Sequence, residues 1–214
     1  MFFGWLKIKI LRHYDRLVSR ELKVLVLEKS EVEAEESQAA EIPVSASIKE
    51  NVVTVSSPEG MEEFSLKGYG VTEDNKLKLT FYETLFLLSK GAIEVEDEET
   101  KEKMAFQHLL KRFQSVDKDA WVRYLIYRDL RSRGYVAREG FGLGIDFRVY
   151  ERGDYGRETA KHLIFGIQEG QPVSVETLAR TQRYVQNLKK NLILAVINRR
   201  GEIVYYSLSQ LNLK

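Results

Sequence analysis

A phenol, an imidazole and an ammonium group, on Tyr150, His162 and Lys190, stand at the ends of three predicted elements in this chain of 214 residues. Tyr150 closes the alternating run GIDFRVY, His162 opens HLIFGIQEG, and Lys190 ends the helical stretch before NLILAVIN. The charged, glycine-rich loop ERGDYGRETAK lies between the first two. Element ends beside loops are where scaffolds commonly place functional side chains. Together the three groups could cleave RNA without a metal. That reaction needs a ribose 2′-OH deprotonated, a 5′-oxygen protonated and a pentavalent phosphorane neutralised. Histidine titrates near neutrality and suits the acid. Lysine offers a point charge to the developing oxyanion. Tyrosine, with an ordinary pKa of about 10, is a weak base unless a cation lowers it, and Arg148, Arg152 and Lys190 are candidate cations.

Each residue alone has an ordinary explanation. A tyrosine at a strand end is usually core or rim. A single histidine is usually a satisfied structural residue, as His13 and His108 are expected to be. Lys189-Lys190 at a helix C-terminus complements the helix dipole. A competing chemistry starts from Asp146, which in GIDF resembles the first acid of a two-carboxylate-plus-lysine metal nuclease. Such a site needs Glu-x-Lys on the next strand, and neither HLIFGIQEG nor NLILAVIN supplies it. Asp146 is therefore expected to orient an arginine or cap a turn. The chain carries no P-loop, no G-x-S-x-G and no zinc-ligand spacing.

Composition narrows the class. A hydrophobic content of 43% suits a folded soluble protein. The absence of cysteine excludes disulfides and Cys-based metal sites and fits a cytoplasmic setting. No apolar run approaches the ~20 residues of a membrane span, and no cleavage site follows the basic, amphipathic start MFFGWLKIKILRHYDRL. The net charge of +1 hides an asymmetry. Residues 121–214 hold 16 Lys and Arg against 9 Asp and Glu, leaving 17 against 23 in residues 1–120. A basic half points to an anionic partner, nucleic acid first, or else to a solvated basic face.

Residues 1–46 form an extension ending in the acidic segment EKSEVEAEESQAAEIP, a linker or exposed helix. Residues 47–115 make a small scaffold domain. Its first part holds two strand-like runs, VSASIKENVVTVSS and MEEFSLKGYG, joined by a turn at Pro58-Glu59-Gly60. LKLTFYETLFLLSKG has helical spacing, AIEVEDEET is a short strand and KEKMAFQHLLKRF is an amphipathic helix. Residues 116–214 make the second domain, in the order α–β–β–β–α–β–β. Asp117 caps its first helix, which buries Trp121, Tyr124, Leu125 and Leu130 and stops at Gly134. Ser174 caps the second, and NLILAVIN reads as a buried strand. The fold class is α/β or α+β, with helices packed on a sheet.

At this point the residues carry a family resemblance. YLIYRDLRSRGYVAREGFGLGIDFRVYERG, then His162, then LKKNLILAVINRRGEIVYY, resembles the C-terminal catalytic domain of archaeal tRNA-splicing endonucleases. GYG with LKLTFYETLFLLSKG resembles their N-terminal domain. The likeness covers about residues 47–214. It implies a small N-terminal α+β domain followed by a restriction-endonuclease-like mixed sheet with flanking helices. It also implies cutting of pre-tRNA at bulge–helix–bulge junctions, with no metal or other cofactor, to leave a 2′,3′-cyclic phosphate and a 5′-hydroxyl. In the family pattern Tyr150 falls on the general base, His162 on the general acid and Lys190 on the phosphorane stabiliser, Lys190 being chosen over Lys189 by counting back from GEIVYY without gaps. Arg183 falls where the family clamps a splayed base with a guanidinium, and Arg157 and Lys161 are expected to touch RNA backbone. The resemblance further implies a homotetramer, or a heterotetramer with a structural subunit. IQEGQPVS would be its docking loop, with Glu169 as the only acid, and the last strand a dimer edge. Two other readings stay open: a non-catalytic RNA-binding or assembly subunit whose triad is only structural, and a metal-dependent DNA nuclease of related fold.

Overall fold

The computed structural model describes residues 42–209. The basic start, His13 and nearly all of the acidic linker lie outside the described residues.

The first half builds one five-stranded sheet. Val44–Lys49 (β1) and Val52–Val55 (β2) form a hairpin around Glu50-Asn51, so the run read as one strand is two. The run MEEFSLKGYG is not a strand, and Pro58-Glu59-Gly60 is not a free turn: Pro58–Leu66 is a helix (α1). Proline stands at the first helical position, where its missing N–H costs nothing. Glu63 and Lys67 pair four residues apart, and Gly60 lets the helix approach β1, since a Cβ there would come within 2.5 Å of a Val44 methyl. Val71–Glu73 (β3) and Lys76–Leu79 (β4) follow. Helix Phe81–Ser89 (α2) therefore starts later than its apolar spacing suggests. Thr80 and Glu83 form a reciprocal capping box that fixes its first turn. Ile93–Asp97 (β5) runs parallel to β1, giving the order β3-β4-β2-β1-β5. Helix Phe106–Gln114 (α3) closes this half, starting at residue 106 because Lys103 bridges to Glu96 beforehand. His108 is exposed on it rather than buried and satisfied.

The second half follows the expected order. Helix Ala120–Ser132 (α4) begins after Asp119, whose N–H donates to the Asp117 carboxylate. Tyr124, Leu125 and Leu130 are buried as expected, but Trp121 is not. Its ring lies against Tyr124 at the surface. Gly134, at φ 86°, ends the helix. Val136–Gly142 (β6), Ile145–Tyr150 (β7), His162–Gln168 (β8), Asn191–Ile197 (β9) and Ile203–Leu208 (β10) form the second sheet in the order β10-β9-β8-β7-β6. Only the β8–β9 pair is parallel, because helix Val175–Asn187 (α5) carries the chain across. Ser174 caps α5 by accepting from the Thr177 N–H. The fold is α+β, with two mixed sheets and five helices among the described residues.

One apolar core runs through both halves. The ring of Tyr82 on α2 lies 4.8 Å from that of Tyr127 on α4 and 5.0 Å from that of Phe147 on β7, centroid to centroid. Beside it, Arg138 on β6 donates to the Gly68 and Gly70 carbonyls and to Glu83, 3.0 Å away. Glu83 in turn accepts from the Thr80 N–H. Burial raises the Glu83 carboxyl above its usual range, and Arg138 opposes that shift. A second, smaller cluster (Ile145, Leu163, Phe165, Val185, Leu192) packs α5 onto the sheet, and Thr181 ties the helix to the β6–β7 turn through the Leu143 carbonyl.

Candidate active site

Strand register brings the three chemical residues to one end of the second sheet. Val149 pairs with His162 across β7 and β8, and His162 pairs with Asn191 across β8 and β9. Tyr150 follows Val149 and Lys190 precedes Asn191. Three residues far apart in sequence thus stand at neighbouring strand ends, within one residue of a common row.

Local chemistry orients each of them. The Tyr150 ring meets the Tyr155 ring edge-on at 5.2 Å. His162 keeps Nε2 3.6 Å from a carboxylate oxygen of Glu151. Its Nδ1 is buried with no hydrogen-bond partner, which leaves Nε2 as the nitrogen open to a substrate. Lys190 follows a tight helix end. Lys189 sits at φ 55°, a left-handed conformation costly for a non-glycine residue, while the Lys190 N–H donates to the Val185 carbonyl. This reversal sends the Lys190 ammonium to the carbonyl of Ala160, at the far end of the loop. An ammonium has three donors, so two remain for a ligand.

The loop between Tyr150 and His162 folds around Lys161. Its ammonium lies 3.0 Å from Asp154, 3.6 Å from Glu158 and 3.7 Å from Glu151. The hydrogen bond to Asp154, more than anything else, raises the lysine above its usual range. Lys161 is thus held by three carboxylates of its own loop rather than standing free. Arg157 is exposed on that loop and makes no ion pair among the described residues. Arg183 is exposed on α5, where its Nε donates back to the Ala179 carbonyl. In the stretch read as a docking loop, Glu169 accepts from the Arg199 N–H of its own chain.

Asp146 does orient an arginine. One carboxylate oxygen accepts from Arg123 Nε at 3.0 Å and the other from the Gly166 N–H at 2.7 Å. Arg123 also reaches Asp117. Burial raises the Asp146 carboxyl, against the pull of Gly166 and Arg123. Each oxygen thus spends one lone pair on a donor of this chain, which holds the carboxylate against Arg123 and the β8 backbone.

Sequence reasoning missed Glu151, the nearest charged neighbour of His162. It stands directly after Tyr150, but only the folded loop turns it toward the ring. It also missed a cavity of about 240 Å³ beside His162, bounded on other sides by Arg133, Tyr135 and Tyr205. Tyr205 arrives there through the β9–β10 hairpin, whose turn at Asn198–Gly201 the sequence marks, but its packing against Asp129 on α4 has no local signal.

Residues 120–205 match the tRNA intron endonuclease catalytic C-terminal domain, and residues 44–110 match the tRNA intron endonuclease N-terminal domain. A tRNA-splicing endonuclease of Methanococcus maripaludis is 32% identical over 170 residues, covering 79% of this chain and 96% of the relative. One from Pyrococcus horikoshii is 33% identical over 146 residues, 67% of this chain and 81% of the relative. One from Methanococcoides burtonii is 32% identical over 158 residues, 73% of this chain but 44% of the longer relative.

Proposed function

The chain belongs to the tRNA intron endonuclease family, and from that premise we propose that it excises introns from pre-tRNA by metal-independent cleavage at bulge–helix–bulge junctions. Tyr150, as the phenolate, takes the proton of the ribose 2′-OH, and after the cut that proton returns through solvent to His162. The freed oxygen attacks the adjacent phosphorus, and the bond to the 5′-oxygen breaks as His162 Nε2 supplies that oxygen with a proton. Lys190 neutralises the charge that builds on the phosphorane. The products are a 2′,3′-cyclic phosphate and a 5′-hydroxyl, and no atom is left over. The observation that carries this reading is the register of β7, β8 and β9, which sets Tyr150, His162 and Lys190 at adjoining strand ends.

The remaining parts follow the same logic. Arg183, with its guanidinium outward, stacks on a base splayed from the bulge, since guanidinium planes and unstacked bases pair well. Arg157 meets the phosphate backbone. Lys161 serves RNA by cancelling three acids beside the scissile phosphate and reaches the backbone only through what the cage leaves exposed. Residues 116–214 form the catalytic domain and 47–115 the scaffold. The active form is an oligomer: β10 is the edge of its sheet and exposes Val204 and Tyr206, a pattern suited to pairing with another copy or a related subunit.

The test uses purified protein alone and an end-labelled bulge–helix–bulge RNA in excess EDTA. Two cuts leaving cyclic phosphate ends support the reading. Cleavage that appears only when magnesium is restored contradicts it.

A further inference from the structure

The cavity beside His162 has a base-like chemistry that the triad does not use. Its floor is apolar, made by Leu130, Val149, Ile164 and Ile193. One wall is a fixed aromatic–guanidinium layer. Arg133 makes two hydrogen bonds to Asp129, Tyr205 donates its hydroxyl to the same carboxylate, and the guanidinium lies 5.5 Å from the Tyr205 ring centroid. A second depression shares Arg133 and Tyr135 as walls and reaches Glu151 and Arg152. Arg152 is exposed and has no ion pair among the described residues. An apolar slot with the His162 ring in its wall and a depression with a free cation therefore stand on shared walls, Arg133 and Tyr135.

We propose that the slot beside His162 takes the base of one unpaired nucleotide flanking the scissile phosphate, with Arg152 in the adjoining depression on the phosphate of its neighbour. The proposal rests on the RNA-cleavage reading above and deepens it. His162 is a wall of the cavity and also the proton donor to the 5′-oxygen, so a phosphate held at His162 brings its own flanking nucleotides to the slot's mouth. A base is flat, apolar on its faces and polar at its edge. The Leu130–Ile193 floor covers the faces, and the free edge of Arg133 meets polar atoms. Aromatic and guanidinium planes hold bases of any identity, so the slot reads the unpaired state rather than the sequence. Holding the base out of the stack rotates its sugar and lets the 2′-oxygen, phosphorus and 5′-oxygen come into line.

The experiment uses the full chain and an uncleavable bulge–helix–bulge RNA with a 2′-deoxy nucleotide at the cut. 2-Aminopurine replaces each nucleotide flanking the scissile phosphate in turn. One position should change fluorescence on binding to the wild type, and the change should vanish with Ile193→Phe, which fills the slot, and with Tyr205→Leu, which strips its aromatic wall and covers the case in which the filled variant does not fold. With cleavable RNA, an abasic site at that position should lower kcat/KM about tenfold for the wild type and have no added effect on either variant. A signal that survives both variants, or full-rate cleavage of RNA made abasic at either flank, overturns the slot while leaving the cleavage reading intact. A slot signal that the variants abolish, on RNA that the protein never cleaves in its 2′-hydroxyl form, overturns the cleavage reading instead.

Discussion

Around Glu83 the charges are buried and paired with one another, whereas around His162 they are exposed and several are free. Glu83 and Arg138 have side chains only 2% and 11% exposed, and between them they tie β6, α2 and the Gly68–Gly70 segment. In the Tyr150–His162 loop, Lys161 and Glu151 are nearly half exposed and their contacts are longer. Removing one partner of a buried pair strands a charge in a dry site. Exposed pairs are worth little and rearrange cheaply. The seam between the halves therefore sets how the sheets meet, and the strand end keeps charges that can turn to a polyanion.

Variants at the two places should separate cleanly. The largest effects belong to the strand end: Lys190→Ala and Tyr150→Phe should each slow single-turnover RNA cleavage by about 10²–10⁴-fold, with unfolding midpoints close to wild type. At the seam, Arg138→Met should cost about 3–5 kcal/mol in chemical denaturation, and adding Glu83→Gln should recover much of it, because the stranded carboxylate is then gone. Asp146→Asn gives an intermediate case. It should lose about 1–3 kcal/mol of stability through the Arg123 and Gly166 hydrogen bonds, yet cleave RNA in EDTA as fast as the wild type does. An inactive but folded Asp146→Asn protein would move the chemistry toward a metal. The smallest effect is expected of Lys189→Gly. Relief of the left-handed φ should stabilise the chain by about 1 kcal/mol, and activity should not fall, since the active role is proposed for Lys190. A rate loss there as large as that of Lys190→Ala would transfer the role to Lys189.

The second half was more legible than the first for physical reasons. Strands β7, β8 and β9 alternate or run apolar over six or seven residues, and Ser174 and Gly134 carry standard start and stop chemistry. In the first half, short elements blur together. Leu77 and Leu79 share helical spacing with Phe81 and Leu85, and only the Thr80–Glu83 capping box shows where strand gives way to helix. Phe64 and Gly60 are the only buried residues of α1, too few to display a period. Trp121 shares helical spacing with the buried Tyr124 and Leu125, but it stands in the first turn of α4, where its ring covers Tyr124 from the surface. For the site, the residue types at strand ends and the family likeness pointed to Tyr150, His162 and Lys190. The Lys161 cage, the Glu151 contact and the cavity wall depend on loop folding and on the packing of β10 against α4, which no local pattern encodes.

The most direct test of the division between seam and strand end measures two quantities on two proteins, His162→Ala and Arg138→Met: single-turnover cleavage of a bulge–helix–bulge RNA, at a temperature where both are folded, and denaturant stability. His162→Ala should lose cleavage and keep its stability, and Arg138→Met should lose stability and keep its cleavage rate. A folded His162→Ala protein that cuts RNA at the wild-type rate would contradict the assignment of the active site.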